Sequence, residues 1–333
     1  MTMTNAGVFE FMFGLPKDRR QQALEFWKVL GFTPCAESEL SADEAQRLYS
    51  HESGCESLRL SHAGCASFGT GFVRLFLWDE LKNQGMGNGT PIHTGSRWMG
   101  MYTHDILQIR DSFDNKDSRQ TWDLWISPLV NAPLAKPAPE ITYHQGFVGL
   151  RETLIFGNDF RLAFIQRGGF DRPGFGTFDD ELAFKNTEGS HANIVQPPRS
   201  FSTEFYKQVF DLETAPFGEA HDSGDEAPTI AALKLKLNET FRVERTRAKD
   251  CPTGLVQVYS SYLDGENNLE LSVPGSRGLS CYSMRVNDLE DCRHRILAFD
   301  DASVSSIQTN EFGEPSITFT APDGYAWVAV ANA

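Results

Sequence analysis

One order of elements recurs along the chain and constrains its fold more than any single motif does. The stretch from Gly189 to Leu212, GSHANIVQPPRSFSTEFYKQVFDL, sets a histidine on a short apolar strand, then a Pro-Pro turn, then a helix carrying Phe205 and Tyr206. Strand-like segments follow at 241–248, 254–263 and 268–273. This order of strand, helix and three strands can be read four times. Unit one opens with a strand at 8–13 and a helix over 19–32, whose Ala23, Leu24, Trp27 and Leu30 share a face; Gly31 reads as its C-cap and Asp18 as its N-cap. Strands at 56–61 and 71–78 follow a second helix announced by the capping-box pair Ser41 and Glu44. Unit two opens with a strand over 98–110 containing His104 and closes with a hairpin, 146–157 and 159–167. Unit four has a strand at 280–286, then a helix capped by Asp288 with Cys292, Ile296 and Phe299 on one face. Its strands are 304–309, 316–322 and 325–331. The spacing is even: His104 and Cys281 lie 177 residues apart, and Phe11 or Met12 lies 180 or 179 before His191. Even spacing at this scale predicts an internal duplication.

A four-stranded sheet with one helix leaves one of its faces bare, so units must combine in pairs to cover it. The fold class that follows is α+β: four βαβββ modules paired into two tandem half-barrel domains. The Gly- and acid-rich run GGFDRPGFGTFDDE is the natural boundary. It predicts one pair over 1–170, a linker over 171–185 and a second pair over 186–333. The run 128–139 holds four prolines and is predicted to be irregular.

Charge excludes some partners. With 45 acidic and 30 basic residues the formal charge is −15, which argues against nucleic acid and anionic membranes, both of which need a basic surface. The six cysteines include no CxxC pair and read as free thiols of a reducing compartment. No basic, apolar leader and no 18-residue apolar window are found, so a cytoplasmic protein is expected. Dinucleotide, phosphate-loop and serine-hydrolase signatures are likewise missing.

The segments EFWKVLGF (25–32), TEFYKQVFDL (203–212), VNDLEDC (286–292) and APDGYAWVAV (321–330) resemble the helices and closing strands of the vicinal oxygen chelate superfamily, which includes glyoxalases, bleomycin-resistance proteins and ring-cleaving dioxygenases. The resemblance spans nearly the whole chain. It implies a metal ligand on a module's first strand, typically His about fourteen residues before the helix aromatic pair, and a Glu on its last strand. His191 stands fourteen residues before Phe205, and NNLELSV offers Glu270. His104 fits the first-strand position of unit two, where Gln166 is the nearest polar residue on the last strand; unit four offers Cys281 and Val328.

His191 and Glu270 are therefore the candidate ligands of a divalent Fe, Mn or Zn ion. His104, His191 and Cys281 are the candidate catalytic groups, and His144 could approach from a loop. Three ligands and open positions are what such a metal needs, so a metal-free site stays open. The function implied is a lyase, isomerase or ring-cleaving oxygenase acting on a small aromatic or carbonyl-bearing substrate. The alternatives are a metal-free protein that sequesters an apolar small molecule, and a metal-free enzyme using His104 or His191 as general base. A homodimer is compatible with either reading.

Overall fold

The structure is a computed structural model that describes residues 7–133, 149–169, 176–198, 201–216, 218–223, 227–235, 239–249, 251–261 and 266–332. Module one comprises β1 (Val8–Pro16), α1 (Arg20–Val29), β2 (Thr33–Leu40), α2 (Ala42–Tyr49), β3 (Cys55–Ser61), α3 (Cys65–Phe68) and β4 (Phe72–Trp78). Module two comprises β5 (Arg97–Tyr102), α4 (Ile106–Phe113), α5 (Lys116–Trp122), β6 (Trp125–Ile126), β7 (Val130–Pro133), β8 (Gly149–Phe156) and β9 (Arg161–Gly168). Module three has β10 (His191–Gln196), α6 (Glu204–Phe210), β11 (Leu212–Thr214), β12 (His221–Ser223), α7 (Ala227–Ala232), β13 (Phe241–Ala248) and β14 (Leu255–Ser261). Module four has β15 (Gly278–Val286), α8 (Leu289–Leu297), β16 (Ser303–Val304), β17 (Gln308–Thr309), β18 (Pro315–Thr320) and β19 (Ala326–Ala331).

The modules join through their first strands. In the first sheet the order is β16-β18-β19-β15-β1-β4-β3-β2, with β17 beside β18; in the second it is β11-β13-β14-β10-β5-β9-β8-β6, with β12 beside β13 and β7 beside β8. Each module's first strand pairs parallel with its own last strand and antiparallel with the first strand of another module. Sheet partners are therefore modules one and four, and modules two and three. The strands cross the 171–185 boundary rather than closing within each half of the chain.

Alternation along the strands divides the core. One face of each sheet feeds the largest apolar cluster, with Phe11, Tyr282, Met99 and Ala192 meeting the buried faces of α1, α4, α6 and α8. There Phe26 of α1 stacks on Phe160 at 4.0 Å, and Phe205 of α6 meets Phe299 edge-on at 5.1 Å. The opposite, concave faces carry separate clusters, around Met12, Phe76 and Val328 in the first sheet and around Trp98, Phe241 and Tyr259 in the second. No helix among the described residues is long and apolar enough to cross a membrane.

The expected capping box forms: Ser41 Oγ accepts from the Glu44 amide, and Glu44 accepts from the Ser41 amide at 2.8 Å. Asp288 caps α8 by accepting from the Asp291 amide, and Gly31 takes a left-handed φ of 82° after α1. Asp18 does not cap; it lies in a 3₁₀ turn, Lys17–Arg19. Three segments depart further from the sequence reading. The strand 98–110 ends at Tyr102, because Asp105 caps a helix whose Ile106, Ile109 and Phe113 are buried at helical spacing. Within 128–139, Val130–Pro133 pairs with β8, while the rest, and His144, lie outside the described residues. The run NNLELSV is no strand: Leu269–Leu271 is a 3₁₀ turn, and the last strand of module three is β14.

Candidate functional site

The concave face of the second sheet gathers polar groups from six adjacent strands, β13, β14, β10, β5, β9 and β8. His191 heads β10, 5% exposed, with its ring over Gly100 of the neighbouring β5; a Cβ added at Gly100 would stand 2.0 Å from ring atoms. Ser190 Oγ donates to the Gly100 carbonyl (3.0 Å) and lies 2.8 Å from His191 Nδ1. A hydroxyl has one proton to give, so Nδ1 carries the hydrogen of that second contact and the lone pair is left on Nε2. Among the described residues Nε2 has no hydrogen-bond partner. Burial, followed by the positive charges of Arg245 and Arg167, lowers the His191 pKa to about 3, so the ring is neutral at physiological pH.

Those two arginines come from opposite sides of β10. Arg245 lies on β13, where its Nε donates to Gln257 Oε1 at 2.8 Å, and Gln257 Nε2 in turn donates to Tyr259 Oη. Arg167 lies at the end of β9, donates to Tyr102 Oη at 3.0 Å and stacks over that ring. The Tyr102 ring is 5.9 Å from that of His191. Glu152, on β8, faces Arg245 and Tyr259 electrostatically although β8 and β13 stand near opposite ends of the sheet. The sheet is thus curled into a half-barrel. Burial raises the Glu152 carboxyl pKa, with Arg245 pulling the other way, and among the described residues Glu152 has no ion-pair or hydrogen-bond partner. Deeper in, the rings of Trp98, Tyr259 and Phe241 pack at 5.0 and 5.5 Å.

The matching face of the first sheet is filled by its own charges. Glu10 of β1, wholly buried, accepts from Arg59 Nε at 2.7 Å and Ser283 Oγ at 2.8 Å and sits 3.1 Å from Arg74 Nε. Arg74, also wholly buried, donates to Tyr49 Oη at 3.0 Å and lies 3.5 Å from Glu311. Glu314 holds Arg59 and Arg285 at 2.6 and 3.2 Å. Three carboxylates thus meet three guanidiniums. Burial works against the charge on Arg74, but Glu10 and Glu311 outweigh it and raise its pKa above the ordinary arginine value.

Other sequence candidates fall elsewhere. His104 lies beyond the end of β5, half-exposed, 3.0 Å from Asp180 Oδ1 and stacked on Phe178 at 3.8 Å. Gln166 faces away from the second concavity, donating to the His104 carbonyl and accepting from the Ile106 amide at the start of α4. Cys281 lies in the first concavity, its Sγ 3.3 Å from the Ala326 carbonyl, and burial pushes its pKa up to about 12, so the thiol stays protonated. Glu270 is exposed in the 3₁₀ turn, next to segments that bond Thr94 beyond the far end of β10. His191 and Glu270 are therefore not brought together.

The donor set on neither concave face fits a divalent cation. In the second sheet, the first strands place His191 opposite Gly100, and the last strands place Leu255 and Ala163 beside them. One imidazole remains, flanked by two guanidiniums, and its own ring fills the space over Gly100. In the first sheet the Arg74 guanidinium stands on the last strand, next to Glu10. Among the described residues no three His, Cys, Asp or Glu side chains gather as a metal site would require.

The residues that sequence reading missed are Glu10, Glu152, Arg167, Arg245 and Tyr102. Each is a polar or amphipathic side chain on the inward parity of a strand, and for Glu152 and Tyr102 that parity was the available signal.

No family model matches the chain, and no curated protein matches it significantly. Solved structures do. Glyoxalase I from Zea mays superposes with a TM-score of 0.59 at 12% identity, over 98% of this chain and 92% of that one. A Bacillus subtilis subsp. subtilis protein carrying a dioxygenase assignment gives a TM-score of 0.57 at 12% identity, over 99% of this chain and 86% of that one. Identities this low speak for the fold alone. With four βαβββ modules, first strands paired between modules and full-length superposition, the chain has the vicinal oxygen chelate fold.

Proposed function

We propose that the concave face of the second sheet is a small-molecule site that works without a divalent metal, with His191 as the proton acceptor. One observation carries this reading: a buried, neutral imidazole presents an unpartnered Nε2 lone pair to a concavity shared with Glu152. A carboxyl pushed up by burial and a histidine pushed down by burial and positive charge form the kind of divergent pair that serves acid–base chemistry. The reaction class is proton transfer on a small organic molecule, with Tyr102 and Gln257 as orienting hydrogen-bonding groups.

The aromatic floor of Trp98, Tyr259 and Phe241 favours a second reading, retention of an apolar ligand with no turnover, as in a sequestering protein of this fold. Two measurements test the proposal. Elemental analysis of purified protein should find no stoichiometric first-row metal, and chelation should leave the melting temperature unchanged. A fragment set screened by thermal shift should give hits that stabilise the wild type and fail to stabilise His191→Gln. A metal ion bound per chain, or hits indifferent to His191→Gln, would overturn it. Hits that bind through His191 but undergo no proton exchange with solvent select the sequestering reading.

A further inference from the structure

Arg97 opens β5 on the parity of Met99 and Met101, so its side chain enters the main core between the two sheets rather than the His191 concavity. It is wholly buried. The guanidinium carbon lies 5.1 Å from the ring centre of Tyr282, on β15 of the first sheet, and 4.7 Å from that of Tyr325, which precedes β19. Those phenols donate to the carbonyls of Asn193 (2.8 Å) and Val195 (2.6 Å), so Arg97 meets their rings and not their protons. Of its three nitrogens only Nη2 is engaged, donating to the Ser272 carbonyl at 3.0 Å. Nε and Nη1 have no hydrogen-bond partner, and neither has the buried hydroxyl of Ser272 itself.

The charge is left over as well. Arg74, equally buried, has carboxylate oxygens at 3.1 and 3.5 Å, whereas Arg97 forms no ion pair among the described residues. Asp323 acts on Arg97 from a distance, but its Oδ2 already accepts from Gln196 Nε2 at 3.0 Å and Tyr206 Oη at 2.8 Å, and burial raises its pKa towards the neutral acid. Arg161, on the other face of the same sheet, adds a second cation. Its Nε donates to the Arg97 carbonyl at 3.2 Å, and its remaining nitrogens reach the Gly87 and Gly89 carbonyls and Ser96 Oγ, all neutral acceptors. Burial lowers its pKa to about 9, which leaves it protonated at neutral pH. An orphaned buried donor bears its full desolvation cost, and a charged one bears more. Guanidinium nitrogens only donate, so orphaned donors on an uncancelled positive charge call for an anion and not for a cation or an apolar ligand.

We propose that Arg97 and Ser272 hold a small inorganic anion of the halide class, with Ser272 Oγ and the free nitrogens of Arg97 donating to it. A monatomic ion suits a guanidinium that is wholly buried and flanked by two rings. Arg97 belongs to module two, Tyr282 and Tyr325 to module four, and Ser272 to the connection between β14 and β15. The ion therefore ties the two sheets together and binds the folded chain alone.

The test is thermal unfolding of the full-length protein in sodium chloride raised over about two decades of concentration, with sodium gluconate holding the ionic strength constant. An ion bound only by the folded chain should raise the melting temperature by roughly 2–3 °C for each tenfold of chloride, and bromide should replace chloride. Arg97→Met should abolish that response, and Ser272→Ala should weaken the apparent halide affinity about fivefold. Crystals grown in bromide should show an anomalous peak within hydrogen-bonding reach of Arg97. A melting temperature indifferent to halide, a response that survives Arg97→Met, or water in place of bromide beside Arg97 would each sink the assignment. If Arg97→Met does not fold, the bromide crystal of the unaltered protein decides. The His191 site stands or falls separately, since it lies on the other face of β5.

Discussion

Gly100 and His191 behave as one feature. The imidazole takes the volume that any side chain at position 100 would need, so the glycine is there for its missing Cβ rather than for its backbone freedom. Gly100→Ala should force the ring out of place, lowering stability by about 1–3 kcal/mol and abolishing any ligand response; chemical denaturation of the two proteins measures the first effect. The histidine also writes itself into the acid stability of the fold. Its folded pKa of about 3 lies below the unfolded value of 6.5, so the unfolded chain binds the proton first. Its contribution is complete above pH 6.5 and is lost as the pH falls towards 3, about 3 kcal/mol of it by pH 4. His62, lowered to about 4 by burial, adds to the same slope, while buried carboxyls held high, such as Glu188 and Asp323, oppose it. Replacing His191 by Gln should therefore flatten the fall in unfolding free energy between pH 6.5 and 4. An unchanged slope would mean that the ring is already charged in the folded state.

At the scale of elements, β1, β3 and β4 carry a charged lattice where most strands carry apolar side chains. Removing one member leaves its partners buried and uncompensated, so Arg74→Met should destabilise by about 3–5 kcal/mol. Adding Glu10→Gln and Glu311→Gln to that variant should recover part of the loss, and urea unfolding of the single and triple variants reads the difference. Elements also show why the sequence was legible where it was. Recurring strands and amphipathic helices gave away the fold, because burial of one face imposes a period that survives in any single unit. His191 was visible as a polar residue heading an apolar strand. Glu270 misled because three residues of Leu-Glu-Leu alternate equally well in a strand and in a 3₁₀ turn. Glu10 was passed over because β1 shifts register between Val8 and Glu10, which breaks the alternation that marks an inward position. Arg245 and Arg167 read like solvent-facing residues of ordinary strands; only the curl of the whole sheet turns that parity inward.

On the scale of the molecule, neither half of the sequence owns a complete sheet. Expressed alone, 1–175 and 176–333 would each expose first strands stripped of their antiparallel partners, and neither should melt cooperatively. Produced together, they should associate and recover a cooperative transition near that of the intact chain. A separate cooperative transition in either fragment would show that strand pairing between modules is dispensable. The cross-pairing has a temporal side as well. The strands of the second sheet run from residue 97 to 261, bracketed by the two parts of the first, as an inner clause sits within an outer one. A ribosome finishes the inner sheet, with its His191 site, some seventy residues before β19 emerges to complete the outer one. During synthesis, module one must therefore wait, Glu10 and Arg74 still in water, for the last module to seal them in.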